Sequence, residues 1–129
     1  GTFEERTVSR IEAKFDAISE AISAMISDAR GDSVVVVSDP RSDRCVQFVA
    51  VNGLIVLDLP EQGMDPAEQV RAADYLRRAT GGDGGSSTQT GLQVSAANAD
   101  DAARLAMEIF NHVYQLRPDE PLKVESITM

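Results

Sequence analysis

Apolar positions in the first 30 residues follow a helical spacing. They recur at intervals of three and four, at Val8, Ile11, Phe15, Ile18, Ile22, Met25 and Ala29. This spacing predicts one helix over residues 3–30, with Thr2 and Glu5 as a capping box and Gly31 as its stop. A coiled-coil seam has the same spacing, but a helix of fewer than four heptads that precedes a β segment favours packing on a sheet.

Three strands are predicted after this helix. Ser33–Ser38 encloses four consecutive valines, and β-branched residues are enriched in strands. Residues 44–51 and 54–59 form two further apolar runs on either side of Asn52-Gly53, a dipeptide typical of a two-residue type I′ hairpin turn. Pro60 ends the third strand. The pattern therefore predicts a three-stranded antiparallel meander.

The two-residue turn predicts which side chains share a face of the sheet. The pairs on one face are Val51 with Leu54, Val49 with Val56, and Gln47 with Asp58. The pairs on the other face are Ala50 with Ile55, Phe48 with Leu57, and Val46 with Leu59. The second face is wholly apolar, so we expect helices to cover it. The first face is expected to be open, with the alternative that the C-terminal segment or a later helix covers it. A five-residue loop over residues 39–43 would add Val35 and Val37 to this face.

The second half of the chain contains two further helix signals. Asp65, Pro66 and Glu68 are typical of a helix start, and the helix is predicted to reach about residue 79 with Val70, Ala73 and Leu76 inward. Asn98 and Asp101 predict the start of a third helix over residues 99–116.

The segments between and after these helices are shorter. Residues 92–96 alternate as a half-buried strand, and residues 122–129 form either a short last strand or a tail. The glycine-rich run over residues 81–85 indicates a connector within one domain.

The predicted fold is α+β: an antiparallel sheet, the meander plus one or two further strands, packed on helices. The predicted order of elements is α-βββ-α-β-α(-β), in a single domain of residues 1–129. That length is enough to bury a core without metal or disulfide support.

Composition narrows the classes of partner. The formal net charge is −9, and only two lysines are present, so we expect no binding to nucleic acid or to an anionic membrane. No apolar run approaches the roughly 18 residues of a membrane span. The single cysteine, Cys45, excludes an internal disulfide and favours a reducing, cytoplasmic location.

Few residues are suited to catalysis. His112 is the only histidine, and with Cys45 it is too little for a zinc site that needs several nitrogen or sulfur ligands. Most conspicuous carboxylates lie at helix starts, where the helix dipole favours negative charge. We therefore expect no catalytic residue, metal or cofactor. Asp58 is the exception, and an alternative is a small-ligand or catalytic site near Asp58, Arg44 and the glycine run.

The open face supports a different hypothesis. Large apolar patches are rarely exposed on monomers without a use. We expect partner binding through six residues: Val35, Val37, Val49, Val51, Leu54 and Val56. The partner is predicted to be another protein or a second copy of the chain, with a homodimer favoured. A third possibility is a structural subunit whose first helix docks on another chain.

Two stretches carry a family resemblance. VQFVAVNGLIVLDLP (residues 46–60) and ADDAARLAMEIF (residues 99–110), within the order helix, meander, helix, strand, helix, resemble the fold shared by type III secretion chaperones and YbjN-like proteins. The resemblance covers about residues 3–116. It implies a small acidic protein, often dimeric and without enzymatic activity, that holds an extended polypeptide segment against apolar surface.

Overall fold

The computed structural model describes residues 2–28, 33–42, 44–51, 54–60, 64–80, 86–87 and 91–128. The helices are α1 (Ile11–Ser27), α2 (Pro66–Thr80) and α3 (Ala99–His112). The strands are β1 (Thr2–Val8), β2 (Ser33–Ser38), β3 (Cys45–Val51), β4 (Leu54–Pro60), β5 (Ser86–Ser87), β6 (Gly91–Ala96) and β7 (Leu122–Thr128). None of the helices in these described ranges has the length and apolar character needed to span a membrane.

The strands form one antiparallel sheet in the order β1-β7-β2-β3-β4-β6-β5. The predicted α+β class, with an antiparallel sheet packed on helices, is confirmed. The predicted hairpin is also confirmed, because Val49 pairs with Val56 and Gln47 with Asp58. The Asn52-Gly53 turn itself lies outside the described residues.

The described helices pack on one face of the sheet, which we call the helix face. α1 lies against β7, β2 and β3, while α3 lies against α1, β4 and β6. A single apolar cluster joins the two layers, with Ile18 and Ile22 of α1, Phe48 of β3, Leu57 of β4 and Ile109 of α3 all fully buried. α1 thus packs on the sheet, as predicted. The opposite side of the sheet, the open face, has no described helix against it.

The prediction of one helix over residues 3–30 is wrong at its start. Residues 2–8 form strand β1, which pairs along its whole length with β7, and α1 begins only at Ile11. Val8 fits the heptad spacing by chance, because this strand residue lies three positions before Ile11, the first residue of α1. Pairing with a strand more than 110 positions later is a tertiary effect that local spacing does not contain.

The predicted register between β2 and β3 is also wrong. Ser38 pairs with Cys45, and the amide of Asp39 donates to the carbonyl of Arg44 at 3.0 Å, so the loop has six residues rather than five. One extra loop residue moves every side chain of β2 to the other face. Val35 and Val37 therefore belong to the buried core, and Val34 and Val36 lie on the open face.

The predicted starts of α2 and α3 are both confirmed. The amide of Glu68 donates to Asp65 Oδ1 at 2.8 Å and the amide of Asp65 donates to Glu68 Oε1 at 3.1 Å, which is a reciprocal capping box. Asn98 Oδ1 accepts the amide of Asp101 at 2.8 Å. The inward face of α2 was predicted incorrectly in part, because Leu76 is buried but Val70 is 69% exposed.

The end of α3 and the segment after it position β7. Gln115 has φ near 58°, a left-handed conformation that ends the helix at His112 rather than at residue 116. Buried Lys14 of α1 then holds the following segment, donating to the carbonyl oxygens of Pro118 at 2.5 Å and Glu120 at 2.8 Å. Residues 122–128 are a strand between β1 and β2, not a tail.

Candidate functional site

The open face carries a cluster of aliphatic side chains on four adjacent strands. We call it the aliphatic patch, and it consists of Val34, Val36, Val49, Val51, Leu54, Val56 and Ile127. The register places Val34 directly between Ile127 and Val49, and Val49 beside Val56, so these members are contiguous across the sheet. Every member is partly or largely exposed.

Exposure within the aliphatic patch is greatest at the β3–β4 hairpin. Val51 is 48% exposed and Leu54 is 56% exposed, although both are large apolar residues. Four members were predicted from the sequence, namely Val49, Val51, Leu54 and Val56. Val34 and Val36 were not predicted because the loop is one residue longer than expected, and Ile127 was not predicted because the position of β7 has no local signal.

Val35 and Val37 do not belong to this surface. They are 1% and 0% exposed, and both lie in the core beneath α1. No partner could touch them without displacing the helix layer, so their predicted place in a binding surface is wrong.

Polar side chains border the aliphatic patch along one row of the sheet. The polar members of this row are Glu5, Glu125, Gln47 and Asp58, and they lie on either side of the patch member Val36. Lys123 Nζ lies 3.3 Å from Glu125 Oε1, so this carboxylate has a cation beside it. The open face therefore combines an apolar area with an acidic border.

Asp58 differs from the other two carboxylates in this row, Glu125 and the exposed Glu5. Its Oδ1 atom is buried and has no hydrogen-bond partner. Burial raises the pKa of Asp58 above its ordinary value, because the charged form loses water without gaining a donor. Most buried polar atoms in folded proteins have a partner, so this oxygen is an exception.

Asp58 and Arg44 do not form a common site. Arg44 Nε donates to Glu68 Oε2 at 2.6 Å, on the helix face, whereas Asp58 is on the open face. Glu68 is 2% exposed, and its hydrogen bond raises the pKa of the Arg44 guanidinium. The glycine run over residues 81–85 lies outside the described residues. The geometry thus separates Asp58 from Arg44, the two described groups of the predicted small-ligand site.

Tyr114 supports the Arg44–Glu68 pair from the end of α3. Its hydroxyl donates to the carbonyl oxygen of Cys45 at 2.9 Å. Burial raises the pKa of Tyr114, so the phenol stays protonated. These contacts join the start of β3 to α2 and to the end of α3. Arg44, Glu68 and Tyr114 each have a hydrogen-bond partner within this cluster, so we assign them a structural role.

His112 lies in a shallow cleft of about 420 Å³ between α2 and α3. Its ring stacks on Tyr75, with centroids 6.2 Å apart, and the Tyr75 hydroxyl donates to Glu108 Oε2 at 2.8 Å. Burial is the main cause that raises the pKa of Tyr75, followed by the hydrogen bond to Glu108. Tyr75 therefore remains a donor to Glu108 rather than becoming a base.

A larger groove, of about 770 Å³, runs between α1 and strands β1, β7 and β2. Its walls mix small α1 residues such as Ala21 and Ala24 with Glu4, and with an ion pair in which Arg6 Nη2 lies 3.3 Å from Glu20 Oε2. The groove thus lies where α1 faces the β1 edge of the sheet.

Within the described ranges, no three His, Cys, Asp or Glu side chains are grouped closely enough to hold a metal ion. Searches of protein-family models, of curated proteins and of solved structures found no match to this chain.

Proposed function

We propose that this chain is a polypeptide-binding domain without catalytic activity. Its open face binds an extended segment of another protein in which apolar side chains stand beside a basic one. The observation that carries this proposal is the aliphatic patch, which extends over β7, β2, β3 and β4 with no described helix against it. Contiguous exposed apolar surface of this kind marks interaction sites.

Charge favours a basic segment over a second copy of the chain. The net charge is −9, and among the described residues the border of the aliphatic patch carries the carboxylates of Asp58, Glu125 and Glu5, with Lys123 beside Glu125. In a symmetric pair, two copies of the same acidic border would enter one interface, and the added negative charge opposes their association. A segment with a basic side chain has the complementary charge.

The family resemblance supports the same function, since it implies a protein that holds an extended client segment against apolar surface. A strand lying across the open face would present side chains to it at every second position, about 6.6 Å apart. That spacing matches the side chains of the sheet itself, so a short segment could contact several members of the aliphatic patch.

The test uses a fluorescein-labelled nonapeptide, Val-Ser-Val-Ser-Lys-Ser-Val-Ser-Val, called here the Lys peptide. Its binding to the full chain is measured by fluorescence anisotropy. We expect the double variant Val49→Gln/Val56→Gln to weaken binding at least tenfold, because it replaces the centre of the aliphatic patch. Val70→Gln is the matched control, since Val70 is an exposed valine on α2, and it should leave binding within twofold of the wild type.

Three outcomes would overturn the proposal. They are absence of binding by the wild type, equal loss in the control, and no loss in the double variant. Light scattering, which measures the oligomeric state, tests separately whether a second copy of the chain covers the open face. A wild-type dimer that the double variant converts to a monomer would assign the open face to a second copy instead.

A further inference from the structure

We infer that Asp58 determines the specificity of the open face, by selecting a basic side chain at one position of the bound segment. This inference rests on the proposed function, and it adds the chemistry by which one segment is distinguished from another.

The position of Asp58 fits this role. It lies two residues from Val56 on the same face of β4 and directly opposite Gln47 of β3. A segment that covers Val56 would therefore extend over Asp58 with its next inward side chain, about 6.6 Å along the strand. The structure thus points to a spacing of apolar residue, any residue, basic residue.

The surroundings of Asp58 explain why that side chain should be basic. Asp58 Oδ1 is buried without a partner, and no ion pair to Asp58 is formed within the described part of the chain. Compare Glu125, which has Lys123 at 3.3 Å, and Glu68, which has Arg44 at 2.6 Å. Glu5 lies beside Glu125 in the same row but is exposed to water, so among the described carboxylates of this row Asp58 is the one whose partly buried charge has no cation beside it.

Binding of a partner raises the free-energy cost of the uncompensated charge on Asp58. A partner that covers Asp58 removes more water from a carboxylate that already lacks a donor, and an unpaired buried charge is strongly unfavourable. A lysine or arginine of the partner would bring a cation beside the carboxylate and so compensate its charge. Asp58 therefore discriminates mainly by rejecting segments that bring an uncharged or acidic side chain to this position.

The test compares the Lys peptide with a Gln peptide that has glutamine at the central position. We expect the wild type to bind the Lys peptide at least tenfold more tightly. In Asp58→Asn, which keeps the shape and removes the charge, that ratio should fall to within twofold of one. The control is Glu125→Gln, because Glu125 already has Lys123 beside it, and its ratio should stay within twofold of the wild-type ratio.

The inference is overturned if Asp58→Asn keeps the wild-type preference, or if Glu125→Gln loses it equally. These results differ from a failure of the proposed function. If binding depends on Val49 and Val56 while the preference ignores Asp58, only the specificity role fails. If the wild type binds neither peptide, the proposed function fails first and this role fails with it.

Discussion

The helix face and the open face are built from the same strands, yet their side chains have opposite environments. On the helix face, Val35 and Phe48 are 1% and 0% exposed. On the open face, their chain neighbours Val34 and Val49 are only partly buried. Both faces are aliphatic near their centres. Amino-acid type therefore does not distinguish the core from the candidate binding surface, and only the packing of helices does.

The carboxylates of the two faces differ in the same way. Glu68 is nearly inaccessible but accepts hydrogen bonds from Arg44 Nε and from the amide of Asp65. Asp58 is less buried, yet its Oδ1 has no donor. The helix face is thus internally satisfied, as a core must be, while the open face retains an unmet requirement for a donor. The function proposed for the open face would explain this contrast, because a bound segment would bring a basic side chain to Asp58.

The largest expected effect separates two adjacent valines of β2. Val35→Asp places an unpaired charge in the core and should lower the free energy of unfolding by more than about 4 kcal/mol. Val34→Asp lies on the open face and should lower it by only about 1 kcal/mol. Urea unfolding followed by circular dichroism measures both.

If Val35→Asp does not fold, Val35→Ala provides the measurement, with an expected loss of about 2 kcal/mol. The opposite ranking, with Val34 the more sensitive residue, would mean that β2 pairs in the register that a five-residue loop would give and that the two faces are assigned wrongly.

A smaller effect tests the carboxylate on the helix face. Arg44→Met leaves Glu68 buried without its cation and should lower the free energy of unfolding by about 2–3 kcal/mol, below the cost for a fully buried pair because Arg44 is partly exposed. The control is Arg104→Met. Arg104 Nη2 lies 2.6 Å from Asp101 Oδ1, and the Arg104 side chain is largely exposed, so the loss should stay below about 1 kcal/mol. Equal losses in the two variants would remove the distinction between a core pair and a surface pair.

Local signals predicted the parts of the fold that depend on few residues. The Asn52-Gly53 dipeptide gave the correct β3–β4 register, and Asp65 with Glu68 gave the correct start of α2. Each of these features is set by hydrogen bonds within a short segment. Four of the six proposed partner-binding residues follow from the same hairpin, so the centre of the candidate site was predictable.

The remaining parts depend on contacts between distant segments. Strand β1 pairs with β7 across almost the whole chain, and neither strand has a local signal that requires the other. The loop between β2 and β3 contains one residue more than its turn residues indicated, since Ser38 pairs with Cys45 and Arg44 belongs to the loop. The length of this loop decides which valines of β2 are core and which are surface.

The smallest expected effect concerns Asp58 alone. Burial raises its pKa in the folded chain above the ordinary value of 3.8, so the folded state holds this proton more tightly than the unfolded state does. The charged form therefore destabilises the fold at neutral pH, and the penalty is relieved as the pH falls through the folded pKa towards 3.8.

We expect Asp58→Asn to be more stable than the wild type at pH 7, by about 0.5 kcal/mol after solvent screening. Urea unfolding across a pH series should show this difference shrinking on acidification, whereas Glu125→Gln, which removes a carboxylate paired with Lys123, should give no gain at pH 7. A loss of stability in Asp58→Asn at pH 7 would mean that the fold already compensates the charge of Asp58, and the open face would then have no need of a partner's donor.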